Sequence, residues 1–227
     1  MSTLNKRLAA CCEYVAGSGI VCDIGTDHAY LPIHLLQSGK CGSAYACDIA
    51  DGPLQSARAN VSAQGLEDKI TLIRSDGLDD VPLQGVSDIV IAGMGGELIF
   101  RILGRKISEL GGINLILQPN TREAELVGWL YENGFEILAQ RAVTDAGLIY
   151  IVINAVYKGE MRALSELERI LGKLDVSDPE AARYIEIQAD RLSKAAAGML
   201  GSRSPEKREE GLAAQELAKK LRALIKA

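Results

Sequence analysis

From Ile20 to about Tyr157 short apolar runs alternate with segments of helical length, a rhythm that few architectures satisfy. Parallel strands need a crossover of a dozen residues or more, and a helix is the usual connector, so the alternation indicates a parallel sheet wrapped by helices. Strands are expected at about 19–24, 43–47, 69–73, 87–92, 112–117, 135–142 and 147–157. Asp51-Gly52-Pro53 places a proline near a helix start, and Thr121-x-Glu123 is expected to open another helix after Pro119. The last two runs, FEILAQRAV and LIYIVINAVY, are separated only by Thr144-Asp145-Ala146-Gly147. No crossover fits there, so these runs should pair as an antiparallel hairpin at the end of a seven-stranded sheet.

After Lys158-Gly159 the strand rhythm stops. Leu164, Leu167, Leu171 and Leu174 form a one-sided helical stripe. Asp178-Pro179 should start a second helix, and a polar break at 201–205 should precede a third with Leu217, Leu221 and Leu224. The division is therefore an α/β domain over 1–157 and a helical, coiled-coil-like domain over 158–227. Two readings of the helices stand side by side: a cover for the sheet or a dimer contact, and a substrate-binding role.

Composition narrows the function classes. The chain of 227 residues is 48% hydrophobic and 24% charged, as a folded globular protein requires. The opening MSTLNKRLAACCEYVAG has no long apolar region, and no later segment approaches a membrane span, so a cytoplasmic protein is expected. Five cysteines without C-x-x-C spacing support neither a disulfide framework nor a zinc site. Only His28 and His34 are present, too few for a metal cluster on their own, and no metal is expected. The net charge of −5 is awkward for a nucleic-acid partner. Its distribution is uneven, however, with −7 over 1–157 and +2 over 158–227.

The stretch GIVCDIGTDHAYLP at 19–32 carries the chemistry. An apolar strand runs into Asp23, Gly25 and a polar turn before a helix near Leu31, the outline of a nucleotide site at a sheet's carboxyl edge. The G-x-G-x-x-G pattern is absent, and Asp23 and Asp27 would repel a pyrophosphate, which argues against a nucleotide-dependent oxidoreductase. The same carboxylates suit a ligand with a sulfonium and an ammonium, as in S-adenosylmethionine. The alternative is that both acids only cap the turn. Asp48, at the end of the second strand, is placed to accept hydrogen bonds from ribose hydroxyls, and Asp76 with Gly77 follows the third strand, as an adenine contact or as plain turn residues.

The fourth strand ends in Ala92-Gly93-Met94-Gly95-Gly96, a bare shelf on which a flat acceptor can lie; Met94 is either a packing surface for cofactor or base, or simple filler. The fifth ends in Gln118-Pro119-Asn120, bringing amides to the same rim. His28 sits in the cofactor turn, where it can bond substrate or cofactor, whereas His34 reads as structural. Methyl transfer needs an aligned acceptor and a dry site rather than a metal, and Asp27 is the candidate to stabilise positive charge developing on an adenine.

These residues resemble the bacterial tRNA adenine-N1 methyltransferase family that modifies adenine 22, on the D-loop side of tRNA. The similarity is carried by N-K-R-L at 5–8, D-I-G-T-D-H-A-Y-L-P at 23–32, D-G-P at 51–53, A-G-M-G-G at 92–96 and L-I-L-Q-P-N at 115–120. It implies a Rossmann-like domain with a C-terminal helical, coiled-coil domain, S-adenosylmethionine as donor and tRNA as partner; monomer and dimer both stay open. It implies Asp23, Gly25, Asp27, His28 and Leu31 in the cofactor turn, Asp48 and Ile49 at the ribose, Asp76 and Gly77 at the adenine, and Ala92, Gly93, Met94 and Gly95 beside the reaction. Lys6 and Arg7 are the phosphate candidates, set against ordinary solvated helix charges. Other acceptors remain open at this point: another RNA, a small molecule, or a non-catalytic RNA-binding role.

Overall fold

The computed structural model describes residues 4–226. Helix α1 (Lys6–Tyr14) precedes β1 (Ile20–Ile24), α2 (Tyr30–Gln37), β2 (Ser43–Asp48), α3 (Asp51–Ala63) and β3 (Ile70–Arg74). Then come β4 (Val86–Gly95), α4 (Gly96–Gly104), β5 (Asn114–Thr121), α5 (Glu123–Glu132), β6 (Phe135–Asp145) and β7 (Leu148–Tyr157). The chain finishes with α6 (Glu166–Leu171), α7 (Pro179–Leu200) and α8 (Pro205–Leu224). The strands form one seven-stranded sheet of order β3-β2-β1-β4-β5-β7-β6, Rossmann-like, with only β7 antiparallel to its neighbours.

Helices cover both faces of this sheet, which is why its strands read as nearly continuous apolar runs. Side chains alternate across it. Cys22, Ile24, Ile89, Ile91, Leu115 and Leu117 face a core shared with α4 and α5, while Val21, Val90 and Ile116 face α1 and α2. The five cysteines are all buried and unpaired. At the sheet's amino edge Asp88, fully buried, accepts from the Ala16 and Gly17 amides, the Ser87 hydroxyl and the Asn114 side chain at 2.6–2.9 Å. That carboxylate ties the segment after α1 to the central strand.

Three local expectations change. The hairpin turn is only Ala146-Gly147, both at positive φ, because β6 and β7 pair as far as Asp145↔Leu148. β4 and β5 outrun their expected ends at 92 and 117: past an irregularity their residues pair again as Met94↔Pro119 and Gly95↔Thr121. Thr121 is thus strand, and Arg122, in the left-handed region, turns the chain into α5. Gly96 permits that close turn, since a Cβ there would stand 2.8 Å from the Arg122 carbonyl oxygen.

The leucine stripe at 164–174 forms a helix of only six residues, opened by a Ser165–Glu168 capping box and stopped at Gly172, whose φ is +51°. Asp178 and Ser204 cap α7 and α8 as prolines at their first turns suggest. These two long helices form an antiparallel hairpin, with Gly211 against Met199 and Leu200, and Arg222 bonded to Glu186 and Asp190. Tyr184, Ile185 and Ala189 of α7 belong to the same buried cluster as the sheet, and Glu180 accepts the Thr144 amide at 2.7 Å. The hairpin therefore covers β6. Among the described residues no helix is long and apolar enough to cross a membrane.

Candidate active site

The chain leaves β1 toward β2 and β3, then returns to the other side of β1 for β4. Connections diverge there, and a crevice opens at the carboxyl ends of the strands. It has a volume of about 280 Å³ and is lined by Gly25, Asp48, Ile49, Asp76, Gly77 and Met94, with Leu98, Arg101 and Ile102 from α4. Larger hollows of about 660 and 580 Å³ lie against the start of β6 and among the C-terminal helices. Neither stands at the point where β1 and β4 part, and neither collects the carboxylates and glycines that the smaller crevice does.

Asp23 is the last residue but one of β1 and is 6% exposed. Burial pushes its carboxyl up to about 6, and the Asp48 charge adds to this; the nearby Thr26 hydroxyl offsets part of it. Thr26 Oγ1 itself is buried without a partner in hydrogen-bonding geometry among the described residues. The amides of Gly25 and Thr26 both donate to the Cys47 carbonyl at 2.8 Å, pulling the turn over β2. Gly25 has φ +75°, and a Cβ on it would stand 2.3 Å from Met94 Cε. Met94 thus packs directly over the turn.

Asp27 lies outside the crevice wall, with its side chain 83% exposed and 3.1 Å from His28 Nε2. His28 and Ala29 are successive non-glycine residues at positive φ, held by the Asn60 side chain donating to the His28 carbonyl at 2.9 Å. Leu31 is buried in the core beneath α2. His34 lies on α2 and lines a small hollow with Tyr30 and Asn60.

Farther along the rim, one oxygen of Asp48 accepts the Ala50 amide at 2.8 Å, and Ile49 is exposed. The Asp76 carboxylate is taken up by Arg105 at 3.1 Å, and this hydrogen-bonded guanidinium holds the carboxyl below its usual range. Arg105 also meets Asp79 at 3.2 Å and the Asp76 carbonyl at 2.8 Å. Gly77, at φ +64°, faces Ile102 so closely that a Cβ would clash at 2.8 Å. Leu98, Arg101, Ile102 and Arg105 were not singled out in the sequence; their only signal there is helical spacing.

On the far side of Met94, Gln118 is completely buried. Its Oε1 accepts from both the Arg7 guanidinium and the Gly93 amide. Its Nε2 donates to the Pro119 carbonyl at 2.7 Å and to Asn120 Oδ1 at 3.2 Å, and Asn120 Nδ2 donates to the Gly93 carbonyl at 2.7 Å. Arg7 also lies over the Tyr150 ring, 5.6 Å from its centre. Lys6, the neighbouring basic residue, is exposed. Gly95 sits beside Thr121, where a Cβ would lie 3.2 Å from Oγ1, and Ala92 pairs with Gln118.

A sulfonium nucleoside fits this arrangement. Gly25 lines the crevice with bare backbone, Asp23 is a buried carboxylate with no ion-pair partner among the described residues, and Asp48 retains an oxygen for ribose hydroxyls. Known proteins agree with the geometry. A family model described as a methyltransferase domain matches residues 4–153. The tRNA (adenine(22)-N(1))-methyltransferase of Bacillus subtilis is 37% identical over 153 residues, covering 67% of this chain but only 64% of that enzyme, just under two thirds of its length. A crystal structure from Streptococcus pneumoniae, provisionally named a tRNA (m1A22) methyltransferase, superposes with TM-score 0.86 at 34% identity over 97% of this chain and 100% of that one. The structure of TrmK from M. capricolum, in complex with S-adenosyl-homocysteine, superposes with TM-score 0.79 at 28% identity over 98% of both chains. By its matched domain, its sheet order and its similarity along nearly the whole chain, this protein belongs to the tRNA (adenine-22-N1)-methyltransferase family.

Proposed function

We propose that this protein transfers the methyl group of S-adenosylmethionine to N1 of adenine 22 in tRNA, in the cytoplasm. The observation that carries the reading is the junction of a carboxylate-lined crevice with the glycine shelf 93–96 at the point where β1 and β4 part. Asp23 would hold the ammonium end of the donor, Asp48 and Ile49 its ribose, and Gly77 with the Asp76 backbone its adenine. Bound there, the donor supplies an electrophilic methyl group on a cationic sulfur.

The chain's own contribution is alignment, shelter and charge. N1 of a neutral adenine has a lone pair in the ring plane and needs no general base, so no side chain has to remove a proton before transfer. Met94 and Gly95 would flank the reacting atoms, with Ala92 and Gly93 behind them. Positive charge develops on the purine, and Asp27, an exposed carboxylate on the turn after β1, is the candidate to stabilise it. His28 and Asn120 face outward from the same rim. Lys6 is the phosphate contact in this reading, because Arg7 is turned inward to Gln118.

The proposed division of labour assigns methyl transfer to 1–157 and RNA engagement to 158–227, the more basic segment; residues 1–3 and 227 of these bounds lie outside the described residues. The test is to incubate the purified protein with labelled donor and unmodified tRNA and to map the product by nuclease digestion and mass spectrometry. The expected product is N1-methyladenine at position 22. Methylation at another position, or none on any tRNA with the target adenine, overturns the reading.

A further inference from the structure

The rim amides are oriented by groups whose own polarity admits no choice. The Arg7 guanidinium and the Gly93 amide can only donate, and both meet the same oxygen of Gln118. The Gln118 nitrogen must then point to the Pro119 carbonyl and to Asn120. Asn120 therefore turns its oxygen to Gln118, which leaves its nitrogen for the Gly93 carbonyl, an atom that can only accept. Gln118 is sealed in the core, whereas Asn120 is exposed. Beyond these bonds Asn120 keeps one N–H donor and one oxygen lone pair, with the oxygen on the Gln118 side and the nitrogen on the Gly93 side.

We infer that Asn120 is the residue that selects adenine, reading N6 and N7 of the base, with Gln118 and Arg7 as positioning residues. The inference rests on the proposed N1 methylation. With N1 presented to the donor, the Watson–Crick edge is committed, and the edge left to read is the one carrying N7 and the N6 amino group. Adenine shows an acceptor and a donor there, the match for an asparagine amide; guanine shows two acceptors and leaves the Asn120 oxygen facing another oxygen. The order of the two groups on Asn120 also sets which way round the base can lie on the glycine shelf. Glycine at 93 is part of the device, since a Cβ there would press to 3.3 Å of the Arg7 guanidinium. Tyr150 supports that guanidinium from β7.

The test uses tRNA carrying either adenosine or 7-deazaadenosine at the target position, compared in single-turnover methylation. The wild-type protein should lose about tenfold in rate on the 7-deaza substrate, which lacks the N7 acceptor. Asn120→Ala should be slower by about tenfold on adenosine and show no additional loss on 7-deazaadenosine. Asn120→Asp, which keeps the acceptor and loses the donor, should be equally insensitive to the change. Arg7→Leu should shrink the penalty, and Arg7→Lys, which still donates, should restore it. Calorimetric donor binding by each variant checks that the fold is intact. An undiminished 7-deaza penalty in Asn120→Ala overturns the assignment of Asn120, and one in Arg7→Leu overturns the relay. Wild-type protein inactive on adenosine tRNA would instead overturn the methyl-transfer reading itself.

Discussion

The tip of Met94 rests on Gly25, so close that a Cβ at Gly25 would lie 2.3 Å from Met94 Cε. The turn after β1 and the shelf at the end of β4 thus meet as one floor. Gly25→Ala would push the flexible Met94 tip aside and also force alanine to φ +75°, a conformation costing roughly 1–2 kcal/mol. The expected outcome is a donor affinity lower by about tenfold or more with a folded protein, read by calorimetry and thermal melting. An unchanged affinity would place the donor elsewhere.

Asp23 carries a stability cost that runs opposite to most carboxylates. Its folded pKa, about 6, lies above the ordinary value of 3.8, so the native state binds the extra proton between those values. Stability therefore falls as pH rises from 3.8 through about 6, and the full penalty applies at neutral pH. Asp23→Asn should stabilise the free protein at pH 7 by up to about 2 kcal/mol while abolishing donor binding. Wild-type affinity for the cationic donor should weaken as pH drops below about 6, because the ionised form is the one that binds. Denaturant midpoints and calorimetry between pH 5 and 8 read both effects; a variant less stable than wild type at pH 7 contradicts this account.

Asp27 should behave differently. Its side chain is 83% exposed and lies 3.1 Å from the half-exposed His28. Asp27→Ala is expected to shift stability by no more than about 0.5 kcal/mol and to reduce turnover more than donor affinity. Melting and rate measurements on one preparation decide; parallel loss of fold and activity would make the residue structural.

Asp88 is the reverse case, a buried carboxylate with donors from Ala16, Gly17, Ser87 and Asn114 and no place in the crevice. Asp88→Ala leaves those donors unsatisfied and should cost about 3 kcal/mol or more, without altering the affinity of the remaining folded fraction for the donor. Urea midpoints paired with active-site titration check both halves of the prediction.

Much of this organisation was legible one segment at a time. The apolar runs of β1, β4 and β5 announce strands buried on both faces, and the short link at 144–147 leaves β6 and β7 only a hairpin. Asp178-Pro179 marks a helix start because a capping side chain and a ring-fixed φ act on the next few residues alone, and the polar break at 201–205 separates the helix it opens from the next. The motif at 23–32 shows its carboxylates and glycine for the same reason: a strand delivers its last residues to the sheet edge whatever surrounds it.

What remained illegible depends on partners far away in the chain. Arg7 and Gln118 are 111 residues apart, and nothing near either predicts that a basic helix residue will orient a buried amide. Asp76 and Arg105 meet only because the end of α4 packs on the turn after β3, and the leucine stripe at 164–174 is cut short where Gly172 turns the chain. The chain by itself determined the type and succession of its elements, since propensity, periodicity and capping act over a few residues. Tertiary structure alone decided which carboxylate is buried, which is paired and which amide faces outward, because desolvation and hydrogen-bond polarity are properties of the assembled surroundings.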